Sequence, residues 1–289
     1  IIGTFLTEHF PDIDTATTLM KLFTLKDFET FGKGAVSNVS SSNRDTVEAF
    51  AKEKSISKFS RMVQALPTIG SLEECKKEFS NLKIVTITEA TKHHNLKGKP
   101  GALQKGAEVA SGEIFLFTDA DCIVGNNWLS KIVAAFNDKN IGIVPSFTTI
   151  KAHNFFERLQ GVEWIYMHTL ASGGIGLNIP LGCFGNNLSI RKNVFWDLGG
   201  YEKIKFSVTE DLALLQAVFD TGWKIHYLYS SESVVTTLPC KTLKSYIQQH
   251  HRWTVGGLDL GWRATVFIFT SLWFRSEEHT SELQSQNAI

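Results

Sequence analysis

Apolar and polar positions fall into blocks along this chain, and the clearest block is Glu113-Ile114-Phe115-Leu116-Phe117-Thr118. Its centre is apolar without polar alternation, the pattern of a strand covered on both faces. Just before it, Leu103, Ala107 and Ala110 share one side of a helix expected from Lys99 to Ala110. After it, Trp128, Leu129, Ile132, Val133 and Phe136 make the apolar stripe of a second helix, which Asn126 or Asn127 can cap. Ile141 to Val144 reads as another strand. Leu212, Leu215, Val218 and Phe219 mark a helix ending at Gly222, and Thr242 to Val255 reads as one more, with Leu243, Tyr246, Ile247 and His250 on one side.

The early region carries weaker signals. Leu19, Leu22 and Phe23 recur at helical spacing, Ala35-Val36 looks strand-like, and Arg44 to Lys58 reads as an amphipathic helix with Val47, Phe50 and Ala51 on one face. Leu82 to Ile87 looks like a strand. Strands alternating with helices predict an α/β sheet with helices on both faces. Ligands of such sheets sit beyond the carboxyl ends of the strands. There is no linker, repeat or low-complexity tract.

The ends change this picture. The chain opens at Ile1-Ile2-Gly3-Thr4, as if inside a buried strand. Ala264 to Phe274 is uncharged, and it reads as the start of a truncated transmembrane or interfacial helix, or else as a buried terminal helix. From Arg275 onward the string Arg-Ser-Glu-Glu-His-Thr-Ser-Glu resembles the translation of a sequencing-adapter oligonucleotide, so 275–289 are read as a non-native tail.

Composition mainly excludes. Of 289 residues 43% are hydrophobic and 20% charged, with 29 basic and 29 acidic side chains. Setting aside Arg275, Glu277, Glu278 and Glu282 leaves 28 against 26. Neither balance gives the broad basic field of a nucleic-acid binder. The four cysteines have no metal-finger spacing and read as reduced thiols. The absence of GxGxxG and of GxxxxGK[ST] weighs against a dinucleotide oxidoreductase and a P-loop ATPase.

The candidate chemistry begins at Asp119-Ala120-Asp121, where the apolar strand ends. Carboxylates at i and i+2 of an extended segment share a side, so they repel unless a cation is shared. Mg²⁺ or Mn²⁺ would resolve the repulsion and bridge to phosphates; a solvated acidic turn is the other reading. Lys97-Gly98-Lys99-Pro100-Gly101 is a basic loop opening a helix, suited to a diphosphate or simply a surface turn. Thr209-Glu210-Asp211 starts a helix, with Thr209 as cap and the acids favoured by the dipole, a role compatible with a catalytic base. Gln249, Arg252 and Trp253 stand at i, i+3 and i+4, one helix face that suits a sugar ring and a phosphate, or an Arg stacked on Trp.

In order, these pieces resemble a family 2 glycosyltransferase with the GT-A fold, of the membrane-bound type related to cellulose, chitin and hyaluronan synthases. Gly98-Lys99, Asp119-Ala120-Asp121, Gly185-Asn186-Asn187-Leu188-Ser189-Ile190-Arg191, Gly199-Gly200-Tyr201, Thr209-Glu210-Asp211 and Gln249-His250-His251-Arg252-Trp253 carry the resemblance. It implies a Rossmann-like, mixed but mostly parallel sheet, a catalytic domain over residues 1–262 and a membrane segment beginning in 263–274. It also implies an inverting hexosyl or N-acetylhexosaminyl transfer from a nucleotide sugar, with UDP the implied nucleotide, to a saccharide or lipid-linked acceptor. The catalytic domain would face the cytosol at a membrane.

Residue by residue, the resemblance makes Asp121 and Asp119 the ligands of Mg²⁺ or Mn²⁺ and Asp211, beside Glu210, the general base. Lys99, Gln249, Arg252 and Trp253 would hold the donor; Asn186, Asn187, Arg191 and Trp253 would border the acceptor. One position departs: Asn38 stands where the family has an aspartate contacting uracil, so an amide would read the base edge. A non-catalytic nucleotide-sugar-binding subunit of the same fold is the alternative function.

Overall fold

The computed structural model describes residues 2–5, 18–21, 85, 96, 98–119, 121–125, 127–258, 262 and 266. Strands β1 (Ile2–Phe5) and β2 (Thr18–Lys21) precede helix α1 (Gly98–Val109) and strand β3 (Ile114–Asp119). Then come β4 (Ile123–Val124), α2 (Trp128–Ala135), β5 (Ile141–Pro145), β6 (Thr148–Ile150) and α3 (Phe155–Gly176). A 3-10 turn (Gly185–Asn187) leads into β7 (Leu188–Arg191) and α4 (Lys192–Asp197). The described chain closes with α5 (Glu210–Asp220), β8 (Lys224–Ile225), β9 (Val235–Thr237) and α6 (Leu243–Leu258).

Six strands form the main sheet in the order β2-β1-β3-β7-β5-β8. β1 is parallel to β3 and β5 parallel to β8, while β7 runs antiparallel to both β3 and β5. Four strands thus share one direction and β2 and β7 oppose it, which makes this a mixed, mostly parallel sheet. A smaller sheet, β4-β9-β6, has β9 at its centre.

The period of two along β3 explains the layers. Phe115 and Phe117 point into the core with Ile143, Leu188 and Ile190, where Leu103 and Ala107 of α1, Phe195 of α4, and Leu214, Leu215 and Val218 of α5 cover them. Leu116, Thr118, Val144 and Ser189 alternate with these and are buried on the other side. Phe115 meets Phe195 edge to face at 5.5 Å, the geometry the ring quadrupoles favour. Truncating Phe115 to alanine would cost about 3–5 kcal/mol.

One early expectation is corrected. Leu19 lies not on a helix but on β2, paired antiparallel with β1 through the register Thr4↔Leu19. A short apolar run does not separate helix from strand by itself, and the edge of β1 supplies the backbone partner. Of Leu82 to Ile87 only Val85 is described, outside any regular element. Asn38, the segments 35–36 and 44–58, Lys97 and 267–289 lie outside the described residues. Among the described residues no helix is long and apolar enough to cross a membrane.

Candidate active site

β3 delivers Asp119 at its carboxyl end, and α1 begins beside it with Lys99. Lys99 Nζ lies 3.1 Å from Oδ1 of Asp119 and 2.8 Å from Oε1 of Glu210. Glu210 is buried, and it opens α5. One lysine therefore ties the end of the central strand to the acidic first turn of a distant helix. Asp211 follows; its Oδ2 accepts the Gly185 amide hydrogen at 2.6 Å and its Oδ1 accepts from the Leu212 amide at 2.8 Å. Lys99, Asp119, Glu210 and Asp211 line one cavity with Phe117, Gly185 and Tyr201.

Thr209 does precede α5, but its side chain makes no cap hydrogen bond. Its hydroxyl instead meets that of Ser207 at 2.9 Å, and Ser207 Oγ accepts the Thr209 amide hydrogen at 3.1 Å. The first-turn position of both acids next to the helix dipole is as expected.

The charges are mutually dependent. Burial works against the Lys99 ammonium, but Asp119, Glu210 and Asp211 outweigh it and hold its pKa well above the usual lysine value. Burial, then the charge of Glu210, pushes Asp211 up to about 7, against the pull of Lys99 and two backbone N–H groups. A carboxyl group poised there can accept a proton near neutral pH.

Asp121 sits in the turn after β3, where the Cys122 thiol donates to its Oδ1 at 3.5 Å. Asp121 is exposed as a residue, but crowding around its carboxyl and then the charge of Asp119 raise the carboxyl. A carboxyl group whose ionisation is opposed by a neighbouring carboxylate suits a hard divalent cation, which commonly takes one or two protein carboxylates and fills its shell with water and phosphate oxygens. Asp119 and Asp121 thus fit Mg²⁺ or Mn²⁺ as a partial ligand set. Among the described residues no group of three or more His, Cys, Asp or Glu converges on one point. Cys122 and Cys183 are free, buried thiols, as small hydrophobes at such positions should be.

Gly199-Gly200-Tyr201 supports this site by close approach. Gly200 has φ +62°, and a Cβ there would lie 2.5 Å from Oε1 of Gln104 on α1. That oxygen accepts the Tyr201 amide hydrogen at 3.0 Å, which seats Tyr201 against the cavity.

The other motif residues are placed differently. On α6, Tyr246 and His250 turn toward α3, where Glu163 accepts from the Tyr246 hydroxyl at 2.5 Å and lies 3.3 Å from His250 Nε2. Trp253 packs edge-on against Trp164 at 6.1 Å, Gln249 Oε1 meets the Cys240 thiol at 3.5 Å, and Arg252 is exposed. Leu243 and Ile247, which the sequence places on the same side as Tyr246 and His250, are exposed. None of Gln249, Arg252 or Trp253 lines the acidic cavity. α6 joins it indirectly, through Ser207 Oγ donating to the Gly256 carbonyl at 3.0 Å.

The three residues expected at the acceptor site, Asn186, Asn187 and Arg191, make contacts inside the fold. Arg191 pairs with Ile114, at the end of β3 opposite Asp119. Its guanidinium donates to the carbonyls of Ile141, Phe136 and Asp138 at 2.7, 2.6 and 3.1 Å, so it braces strand ends instead of bordering the cavity. Asn187 is fully buried: its amide donates to the Phe147 and Ser233 carbonyls at 2.7 and 3.0 Å, and its oxygen accepts from Trp128 at 2.9 Å. Asn186 Oδ1 accepts from the Thr148 hydroxyl at 2.9 Å. Both amides serve the turn that carries Gly185, and Asn127, instead of capping α2, donates its amide to Glu232.

His168 carries no sequence motif. It is buried on α3, with Trp164 and Ala171 at i−4 and i+3, the apolar stripe that turns it inward. That spacing was the available signal.

Comparison with known proteins agrees with this architecture. The family model for glycosyl transferase family 21 matches residues 65–267, more than half of the chain. The beta-monoglucosyldiacylglycerol synthase of Trichormus variabilis (strain ATCC 29413 / PCC 7937) is 28% identical over 198 residues, covering 64% of this chain and 38% of that protein. The same figures hold for the synthase of Nostoc sp. (strain PCC 7120 / SAG 25.82 / UTEX 2576), so the chain spans well under half the length of these relatives. Among solved structures, the mannosyltransferase PcManGT from Pyrobaculum calidifontis, in complex with GDP-Man and Mn²⁺, superposes with a TM-score of 0.50 at 15% identity. That match covers 66% of this chain and 50% of that one, and it bears on the fold alone.

Proposed function

The chain belongs to glycosyl transferase family 21, and from that premise we propose that it moves a sugar from a nucleotide donor to a hydroxyl acceptor, with Asp211 as the base. The observation that carries the reading is the Lys99 bridge, which brings Asp119 at the end of β3 to Glu210 beside Asp211. A strand-end carboxylate and a proton acceptor in one cavity are the two functions a single displacement needs.

The acceptor hydroxyl attacks the anomeric carbon, the bond from that carbon to the diphosphate oxygen breaks, and the hydroxyl proton passes to Asp211. One displacement inverts the anomeric centre. Lys99 offers a cation where the diphosphate would lie, and Gly185 and Leu212 hold both Asp211 oxygens in place. A divalent ion on Asp119 and Asp121 would offset the negative charge of the departing nucleoside diphosphate.

The finer assignments are proposals with separate supports. A UDP-sugar follows from the motif resemblance to family 2 synthases, and GDP is the alternative nucleotide, as in the PcManGT complex. A lipid acceptor, and with it a place at a membrane surface, draws on the glucosyldiacylglycerol synthases. Gln249, Arg252 and Trp253 would approach the donor from α6 once it is bound.

The test offers UDP-glucose or GDP-mannose with Mn²⁺ and diacylglycerol vesicles, and measures glycolipid formation and nucleotide release. The expected result is turnover that Asp211→Asn lowers by roughly 10³-fold. Folded protein that consumes neither donor, or an Asp211→Asn variant that turns over normally, removes the proposal.

A further inference from the structure

The Gly185 amide that grips Asp211 belongs to a turn with its own support. Phe184, just before it, lies against the His168 ring at a centroid distance of 4.3 Å, and Phe147 stacks on the same ring at 4.4 Å. His168 Nε2 accepts the Thr148 amide hydrogen at 3.1 Å. With Nε2 an acceptor, the ring proton is on Nδ1, which donates to the Tyr227 hydroxyl. Burial holds the ring neutral, with a pKa pushed down to about 3, so this tautomer persists across the working pH range. Thr148 carries the connection onward, its hydroxyl donating to Asn186 Oδ1 at 2.9 Å.

We propose that His168 and Thr148 are positioning residues for Asp211. They fix the Phe184–Asn187 turn by a ring contact on one side and a hydrogen bond on the other, and so aim the Gly185 amide at Oδ2 of Asp211. The device deepens the reading of Asp211 as base and rests on it for its catalytic meaning. Without this support the amide swings, the carboxylate loses a donor that favours its ionised form, and Asp211 binds its proton more tightly.

The titratable groups around Asp211 are Glu210, Lys99, Cys183 and Tyr201, with Asp119 lining the same cavity, and the test leaves all of them in place. The full chain, labelled with carboxyl-13C aspartate, is titrated by NMR, and the Asp211 signal is identified by its loss in Asp211→Asn. Thr148→Val and His168→Phe should raise its midpoint by on the order of one pH unit, whereas Thr148→Ser, which keeps the hydroxyl, should leave it unchanged. If His168→Phe does not fold, the Val and Ser variants at position 148 decide alone. An unmoved midpoint in Thr148→Val, or an equal shift in Thr148→Ser, overturns the proposal. Nucleotide release by Asp211→Asn is measured separately: normal release removes the base while leaving the titration result standing.

Discussion

Gly185 donates its amide hydrogen to Oδ2 of Asp211 across 2.6 Å, from a turn 26 positions earlier in the chain. The bond works because position 185 has no side chain. A Cβ there would lie 3.3 Å from both Cβ and Oδ2 of Asp211 and 3.5 Å from Oε1 of Glu210. Contacts that tight leave the carboxylate one arrangement, facing the cavity.

Gly185→Ala should therefore displace the Asp211 carboxylate by a few tenths of an ångström without unfolding the protein. The expected outcome is a kcat lowered about tenfold with little change in KM for the donor. Steady-state kinetics beside a thermal melt checks it, and a normal kcat would show that the base tolerates movement.

The pH dependence of transfer follows from Asp211. With its pKa pushed up to about 7 by burial and by Glu210, the base is protonated on the acid side of neutrality. The kcat profile should fall below about pH 7 and flatten above it, and Asp211→Asn should lower kcat by roughly 10³-fold while donor affinity is kept. A flat profile from pH 5 to 8 would exclude Asp211 as the group that titrates.

Stability runs the other way. Asp211 binds its proton more tightly in the folded chain than an ordinary aspartate does, so its contribution is fully present below about pH 4 and is lost as pH rises through about 7. Asp211→Asn does not titrate and should melt above the unmodified protein at pH 8, by less than the about 4 kcal/mol that three pH units would carry. The difference should shrink as the pH is brought down to 4. Melting curves at four pH values read the trend directly.

Arg191 separates the sequence resemblance from its placement in the fold. Its guanidinium binds three carbonyls and lies over the Phe136 ring at 5.2 Å, at the end of β3 away from Asp119. Arg191→Ala should cost about 2–4 kcal/mol by leaving buried carbonyls unpaired, while the surviving folded protein binds nucleotide and turns over normally. A selective rise in acceptor KM would instead put Arg191 at the acceptor site.

What could be read from the sequence follows from where pattern and burial coincide. The apolar run at Ile114 to Phe117 and the stripe from Trp128 through Ile132 gave strand and helix within a residue or two, because their apolar residues are the buried ones. Helix α3 was missed for the opposite reason. Its Phe155, Leu159, Val162 and Ile165 are exposed while Gln160 and His168 are buried, so its hydrophobicity does not trace its inner face. Gln160 is buried because it exchanges two hydrogen bonds with the Cys240 backbone, at 3.0 and 2.8 Å, a partner 80 positions away that no local pattern announces. The acids of the site were legible as motifs. Their joining by Lys99 was not, since it depends on the register that brings β3 and α5 to one cavity.

Calorimetric titration of UDP, and of GDP, into the full chain tests the central claim most directly. It is run with Mn²⁺, with EDTA, and with Asp121→Asn. A nucleotide site built on Asp119 and Asp121 predicts that one nucleotide binds with Mn²⁺, that EDTA abolishes the binding, and that Asp121→Asn weakens it at least tenfold while Asp211→Asn leaves it intact. Binding that ignores both the metal and Asp121, or no binding of either nucleotide by folded protein, would contradict it.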